Sequence, residues 1–307
     1  MNPIEVKNLT KKFGKKDNIE IALNNINFTV KTGEIHGLLG PNGAGKTTIT
    51  NILSGILLPT SGTAKILGKD VIKNSIEIRK NIGVCFGGSR FYYPLTCQEN
   101  LKFHARLHGM KNPELDKRIN ELAEELAFKS FINKKFADCS KGMRQKIALA
   151  KSLLHKPKIL LMDEPTIGLD VEVSMIIRNT LKKLSKQGTT ILLTTHYLSE
   201  IEELCKNITM INKGKVIVKG KISDVKKKLK FSDNISFTTN QKIDFISKIK
   251  GIKSWKDLNG EVIIHTNSPE KLIVPLIKQL EKRKIKFNDL QINPATLEEV
   301  VLKIMKE

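Results

Sequence analysis

The segment from Glu34 to Ile56 constrains the fold of this chain more than any other. Glu34-Ile35-His36-Gly37-Leu38-Leu39 has the length and apolar character of a short buried strand. It runs into Gly40-Pro41-Asn42-Gly43-Ala44-Gly45-Lys46-Thr47, which fits the pattern G-x-x-x-x-G-K-[ST], with Thr48 following. Ile49, Ile52, Leu53 and Ile56 then recur at helical spacing, which predicts a helix beginning at Lys46. A strand, a glycine-rich turn and a helix in this order direct several backbone N–H groups and the positive end of a helix dipole at one point, where phosphate oxygens are held. The pattern assigns Lys46 to the β- and γ-phosphates of a nucleotide and the Thr47 hydroxyl to Mg²⁺. A glycine turn before a helix with no ligand is the structural alternative, and the strand–loop–helix context weighs against it.

Two further segments fit the same sheet. Lys158-Ile159-Leu160-Leu161-Met162 is a continuous apolar run, as expected of a parallel strand covered on both faces, and it ends in Asp163-Glu164-Pro165. Carboxylates at the C-terminal end of such a strand lie where open α/β sheets bind ligands. Asp163 there is suited to hold Mg²⁺ through water, and Glu164 to act as general base on an attacking water. Thr189–Thr195 predicts another strand, ending at His196, which the same polarity rule brings to the γ-phosphate. A polar loop after one strand and a structural histidine after the other are the competing readings. Ser140 precedes Ile147, Leu149, Ala150, Leu153 and Leu154 at helical positions and reads as an N-cap, so Ser140-Lys141-Gly142 opens a second helix able to receive an anion.

Composition limits the remaining choices. The chain has 307 residues, 40% of them hydrophobic, enough for one large domain and a small one. No apolar run reaches the roughly 18–20 residues of a membrane-spanning helix, and the N-terminal segment lacks the apolar centre of a signal peptide. A soluble protein attached to a membrane only through a partner or a surface patch is therefore expected. Cys85, Cys97, Cys139 and Cys205 are scattered without a C-x-x-C pair, which argues against zinc or disulfides and for small packing residues in a reducing compartment. The formal charge of +22 is spread along the chain, including Lys11, Lys12, Lys15 and Lys16, and aromatic residues make up only 5%. A solvated lysine surface is the first reading of that charge. Attraction to an anionic membrane leaflet comes second, and nucleic-acid binding third.

Taken together, these motifs resemble the ATP-binding subunits of ABC transporters, over residues 4 to about 220. In that resemblance Phe13 stacks on adenine, Gly40–Thr48 is the phosphate loop, and Ile159–Glu164 is the magnesium and general-base strand. Thr166-Ile167-Gly168-Leu169-Asp170 looks like the D-loop, and His196 like the switch histidine. Ser140-Lys141-Gly142-Met143-Arg144-Gln145 is similar to the family signature. The resemblance implies a P-loop NTPase ABC cassette, with a RecA-like core, an antiparallel β subdomain and a helical insert at about 91–155. It also implies ATP and Mg²⁺ as cofactors. Catalysis would rest on Lys46, Glu164 and His196, with Thr47 and Asp163 at the metal. A head-to-tail homodimer would close Ser140, Gly142 and Asp170 of one copy on the nucleotide of the other.

The subunit would power a separate integral-membrane permease from the cytoplasmic face of the membrane. The aromatic loop Phe91-Tyr92-Tyr93-Pro94-Leu95-Thr96 would touch that permease, with a locally packed aromatic turn as the alternative. Lys141, in place of the usual glycine, is similar to the multidrug-type (daunorubicin/sodium-exporter-like) exporters. The family's glutamine after the strand at Ile82–Phe86 is replaced by Gly87 and Gly88, with Ser89 and Arg90 following, and Gln98 lies too far along to stand in for it.

Residues 1–222 thus read as the ATP-binding domain and 223–307 as a small α+β domain. Lys226-Lys227-Lys228-Leu229-Lys230 reads as a linker or exposed helix end. Beyond it, strands are predicted at Ile235–Thr239, Val262–Thr266 and Lys286–Ile292, and helices near Ile243–Ile249 and Glu270–Lys284. A last helix carries a Thr296-x-x-Glu299 capping box. The order suggests a ferredoxin-like sandwich with no catalytic constellation, and Trp255 and His265 read as packing or surface residues. The competing functions are a soluble ABC-type ATPase acting on DNA or ribosomes, and an importer subunit.

Overall fold

The computed structural model describes residues 2–14, 18–86, 91–228, 233–241, 243–266 and 268–293. It divides into two compact units, Met1–Lys221 and Ile222–Glu307. In the first, β1 (Ile4–Phe13) and β2 (Glu20–Val30) pair antiparallel. Ile4, Val6, Leu9, Leu23, Ile26, Phe28 and Val30 turn inward, and polar residues between them face out. That alternation covers one face of the sheet and leaves the other to solvent. The chain then forms β3 (Ile35–Leu39) and α1 (Lys46–Leu53). It returns through β4 (Ser61–Ile66) and β5 (Lys69–Asp70) to complete a four-stranded sheet in the order β2-β1-β4-β5.

A second sheet carries the parallel core. After the short helix α2 (Ser75–Arg79) comes β6 (Ile82–Cys85). Three helices follow, α3 (Cys97–Leu107), α4 (Glu114–Glu125) and α5 (Lys141–Leu153), before β7 (Ile159–Asp163). Then come α6 (Val171–Lys186), β8 (Thr190–Thr195), α7 (Leu198–Leu204), β9 (Asn207–Asn212) and β10 (Lys215–Lys221). The strand order is β10-β9-β3-β8-β7-β6, with β10 antiparallel at the edge and the other pairs parallel. β3 and β8 are wholly buried, as strands covered on both faces must be. One cluster of buried side chains, including Leu38, Ile49, Ile52, Leu161 and Leu192, continues into Ile26 and Phe28 and so packs the two sheets together.

The predicted strands and helix starts of this unit recur within a residue or two, with one exception. α1 ends at Leu53, and Ile56 lies beyond it with 67% of its surface exposed. The helix stops where Gly55, at φ 71°, turns the chain out of the helical path.

The second unit begins with α8 (Ile222–Lys228), followed by β11 (Asp233–Thr238). Next are β12 (Ile252–Leu258), β13 (Glu261–Thr266), α9 (Pro269–Lys282) and β14 (Asn288–Asn293). The sheet order β12-β13-β11-β14 is antiparallel throughout, the arrangement of a ferredoxin-like sandwich. Leu272, Leu276 and Leu280 of α9 pack on Ile235, Phe237, Val262 and Ile264. Two expectations need correction. The predicted helix near Ile243–Ile249 is a 3₁₀ run, Asp244–Lys248, and β12 was not predicted. Only Ile252 and Trp255 in β12 are even half-buried, so its sequence lacks the apolar alternation that marks an edge strand. The predicted capping box at Thr296 and Glu299 lies outside the described residues, as do Gly87, Gly88, Ser89 and Arg90.

The tightest packing constraint on the parallel sheet falls on Gly83. A Cβ there would sit 2.2 Å from the Ser152 carbonyl oxygen and 2.9 Å from Pro157 Cγ. Gly83→Ala is expected to cost about 1–3 kcal/mol, read as a lower urea midpoint with an unchanged slope.

Candidate nucleotide site

The geometry of the site begins with strand register. Leu39 of β3 pairs with Thr195 of β8, and Thr194 pairs with Asp163 of β7, so three strands end level at one sheet edge. The loop at Gly40–Gly45 leaves that edge and delivers the chain to α1. Gly45 sits at φ 106°, and a Cβ there would lie 2.6 Å from Leu23 Cδ2 and 2.8 Å from the Ala22 carbonyl oxygen, so only glycine fits against β2. Lys46, 5% exposed, donates from Nζ to the carbonyls of Gly40 at 2.7 Å and Pro41 at 3.1 Å. The ammonium therefore stays against the carbonyl oxygens of its own loop.

The carboxylates close the other side. Thr47 Oγ1 donates to Asp163 Oδ2 at 2.9 Å, and the Thr194 hydroxyl donates to Asp163 Oδ1. Glu164 follows with φ 48°, a left-handed conformation that side chains other than glycine adopt at a cost of about 1–3 kcal/mol when it is sustained at a site. Its backbone N–H bonds Thr194 O at 2.9 Å. The turn brings Glu164 Oε1 to 3.5 Å from Lys46 Nζ and 3.1 Å from His196 Nδ1. The residues expected at the sheet edge, Lys46, Thr47, Asp163, Glu164 and His196, thus form one connected network.

A groove of about 690 Å³ runs past this network. Phe13, 40% exposed at the end of β1, lines it together with Asn42, Gly43, Lys46, Thr47 and Thr48. Asp163 and Glu164 line it as well. One groove thus brings together an aromatic ring, the loop before α1 and two carboxylates. Pro41 is half-buried, and Ala44 is packed beneath the loop at 2% exposure.

Comparison with known proteins gives this arrangement its family. The profile described as ABC transporter matches residues 23–167. The chain is 36% identical over 223 residues to the ABC transporter ATP-binding protein NatA of Bacillus subtilis (strain 168), covering 72% of this chain and 91% of the relative. The linearmycin resistance ATP-binding protein LnrL of the same organism is 31% identical over 307 residues, covering 98% of this chain and 97% of the relative. The Nod factor export ATP-binding protein I of Rhizobium sp. (strain N33) is 32% identical over 302 residues, covering 98% and 96%. The chain belongs to the ABC transporter ATP-binding family. It is an ABC-type ATPase subunit, and its first unit has the P-loop cassette fold. The dimeric structure of MJ0796, a bacterial ABC transporter cassette, superposes with a TM-score of 0.67 at 30% identity, covering 71% of this chain and 98% of that one. The same cassette is known in a post-hydrolysis dimer bound to ADP and Pi, again with a TM-score of 0.67.

The segments that resemble the ABC signature and D-loop lie side by side. Ser140 caps α5, its Oγ accepting the Met143 N–H at 3.3 Å. Asp170 caps α6, accepting the Val173 N–H at 2.8 Å. A Cβ on Gly142 would meet Val173 Cγ2 at 3.1 Å and Asp170 Oδ2 at 3.5 Å, so the two caps adjoin. Neither Ser140 nor Gly142 lines the groove. The aromatic loop packs locally: Phe91 stacks on Phe136 at 4.4 Å, and Arg144 lies over Tyr93 and Phe136. Tyr92 and Tyr93 nevertheless remain about half exposed, at 52% and 53%.

Sequence reasoning missed two polar supports. Thr194 holds Asp163, and its only signal is a threonine at the end of an apolar strand. Glu200 is fully buried on α7, where it accepts a hydrogen bond from Thr166 Oγ1 at 2.9 Å. Burial raises its pKa, against the opposing hydrogen bonds from Thr166 and Thr195. A raised native pKa means the neutral form fits best. The stability it confers is complete below the unfolded-chain value of about 4.3 and is lost as pH rises through the higher native value. Glu200→Gln should therefore melt about 1–3 °C above the parent at neutral pH and level with it in acid, as read by calorimetry across pH.

Proposed function

We propose that this subunit drives export through a separate integral-membrane permease, as one half of a head-to-tail homodimer with ATP between the copies. The observation that carries the dimer is the presence of two anion-receiving surfaces on one chain. The groove from Phe13 to Glu164 takes the nucleotide, while the capped helix at Ser140–Gly142 stands outside that groove. A second copy places its Ser140, Gly142 and Asp170 against the γ-phosphate, so each nucleotide is held by two chains. The dimeric form of MJ0796 supports this reading. Export follows from relatives named for Nod factor export and linearmycin resistance, and from Lys141 within the signature. The subunit sits on the cytoplasmic face of the membrane through its permease. Among the described residues no helix is long and apolar enough to cross a membrane.

In this reading Phe13 stacks on adenine, and the backbone N–H groups of Gly40–Thr48 with Lys46 hold the phosphates. Thr47 Oγ1 and Asp163 Oδ2, 2.9 Å apart, are hard oxygen donors of the kind Mg²⁺ takes, and these two residues would hold it. Bound there, the ion would supply neutralising charge to the phosphates. Glu164 accepts the proton of the water that attacks the γ-phosphorus, and the P–O bond to ADP breaks as the new one forms. His196, on Glu164 Oε1, orients that carboxylate toward the water. Glu164→Gln should bind ATP with near-parental affinity, lower turnover by about 10²–10⁴-fold and accumulate as an ATP-dependent dimer on size exclusion. Normal hydrolysis by that variant removes Glu164 from the role of base. Ser140→Arg should keep ATP binding by the single chain but abolish the dimer and reduce turnover to a similar extent. An unchanged dimer in that variant would refute the shared site.

A further inference from the structure

Glu200 is a buried carboxyl group for which the chemistry of the nucleotide groove has no use. It lies on α7 with none of its surface exposed. Its Oε1 accepts from Thr166 Oγ1 at 2.9 Å, and the Thr195 hydroxyl is hydrogen-bonded to the same carboxyl. Its Oε2 is buried with no hydrogen-bond partner among the described residues. Arg178, whose charge acts on it, is itself held by Glu203 at 3.1 Å. Taking a carboxyl out of water is costly, and an apolar side chain would fill the same space without that cost. What the carboxyl adds is a pair of polar attachments, and these lie on two different segments.

Thr166 opens the turn that runs to Asp170. The Ile167 N–H bonds the Glu164 carbonyl at 3.4 Å, and the Leu169 N–H bonds the Thr166 carbonyl at 3.2 Å. The turn ends in the exposed Asp170, whose carboxylate caps α6. In the dimer this turn faces the nucleotide held in the groove of the other copy. Thr195 ends β8, and its hydroxyl accepts the Tyr197 N–H at 3.0 Å, which bends the chain at His196. His196 Nδ1 lies 3.1 Å from Glu164 Oε1, so this second turn serves the chain's own nucleotide.

Thr166 and Thr195 are both buried, and water cannot take the place of Glu200 between them without local opening. Burial raises the Glu200 pKa and favours its neutral form. A neutral carboxyl has one O–H donor and keeps acceptor capacity, so it can hold two hydroxyls at a fixed separation. If one turn shifts, either the other follows or a buried polar group loses its partner, which is unfavourable.

We propose that Glu200 is a positioning residue that couples the two nucleotide sites of the dimer, by fixing the Thr166–Asp170 turn of each chain to the His196 of the same chain. The coupling rests on the shared-site reading above. Glutamine offers a donor and an acceptor in nearly the same shape and should preserve the link. Methionine fills the space and holds neither hydroxyl.

The test compares the full-length parent with Glu200→Gln, Glu200→Met, Thr166→Ser, Thr166→Val and the double variant Glu200→Met/Thr166→Val, following Mg-ATP hydrolysis against ATP concentration. The parent should turn over with a Hill coefficient above one. Glu200→Met and Thr166→Val should each lower kcat about tenfold and bring the Hill coefficient to about one, with half-saturating ATP changed by less than about twofold. Glu200→Gln and Thr166→Ser should match the parent. Because both changes cut the same link, the double variant should lose about tenfold rather than about a hundredfold. Leu204→Ala, a buried truncation one turn further along α7, should lower the melting temperature and leave kcat and the Hill coefficient unchanged, which separates coupling from loosened packing. Thr166→Val keeps the α7 side chains intact and carries the test if Glu200→Met does not fold. Each variant is also combined with Glu164→Gln and should still form the ATP-dependent dimer on size exclusion. If Glu164→Gln alone forms no dimer, the shared-site reading falls and the coupling with it. If that dimer forms, parental kcat and Hill coefficient in Thr166→Val, additive losses in the double variant, or a Glu200→Gln as impaired as Glu200→Met would each overturn the coupling alone.

Discussion

The hydrogen bonds from Thr47 and Thr194 to the two oxygens of Asp163 organise the first unit of this chain. They tie the first turn of α1, the end of β7 and the end of β8 to one carboxylate. This contact is possible only because β3, β8 and β7 are adjacent and in register, with Leu39 opposite Thr195 and Thr194 opposite Asp163. A one-residue slip of β7 against β8 would turn Asp163 to the other face of the sheet. Parallel strands covered on both faces resist that slip, because every inward side chain would have to repack.

Around that carboxylate the side chains have divided tasks. Asp163 accepts one hydroxyl hydrogen bond on each oxygen, whereas Glu164, one residue later, is turned by its positive φ toward Lys46 and His196. The same backbone turn thus sends two consecutive carboxylates to different partners. Glu200 extends the network beneath the D-loop-like segment, linking Thr166 to the end of β8 through a buried carboxyl whose pKa is raised by desolvation.

The basic charge is less uniform in space than along the chain. Lysines and arginines that look scattered in sequence gather at a cleft of about 1050 Å³, where α2, α4 and the turn after α5 each bring cations to one wall. Cys97 and Cys139, far apart in the chain, similarly meet with sulfurs 3.5 Å apart in a buried position, in keeping with their reading as packing residues.

Much of the nucleotide site is legible in the amino-acid sequence because its chemistry is local. Gly40–Thr48 can be recognised because a phosphate loop needs glycines, a lysine and a hydroxyl at fixed spacing. Ser140 can be recognised because a helix start needs a side-chain acceptor, and Asp163-Glu164 because they end an apolar run. These requirements act over a few residues, so they are written in consecutive letters. Thr194, Glu200 and the edge strand β12 are not legible in that way, since their roles depend on which partner the folded chain sets opposite them. The same is true of the cleft at Arg118 and His155. Residue order alone therefore settles which residues open and cap a helix or line a buried strand. Which of them share a groove is settled by folding, because strand register and helix packing join positions more than a hundred residues apart, as with Thr47 and Asp163.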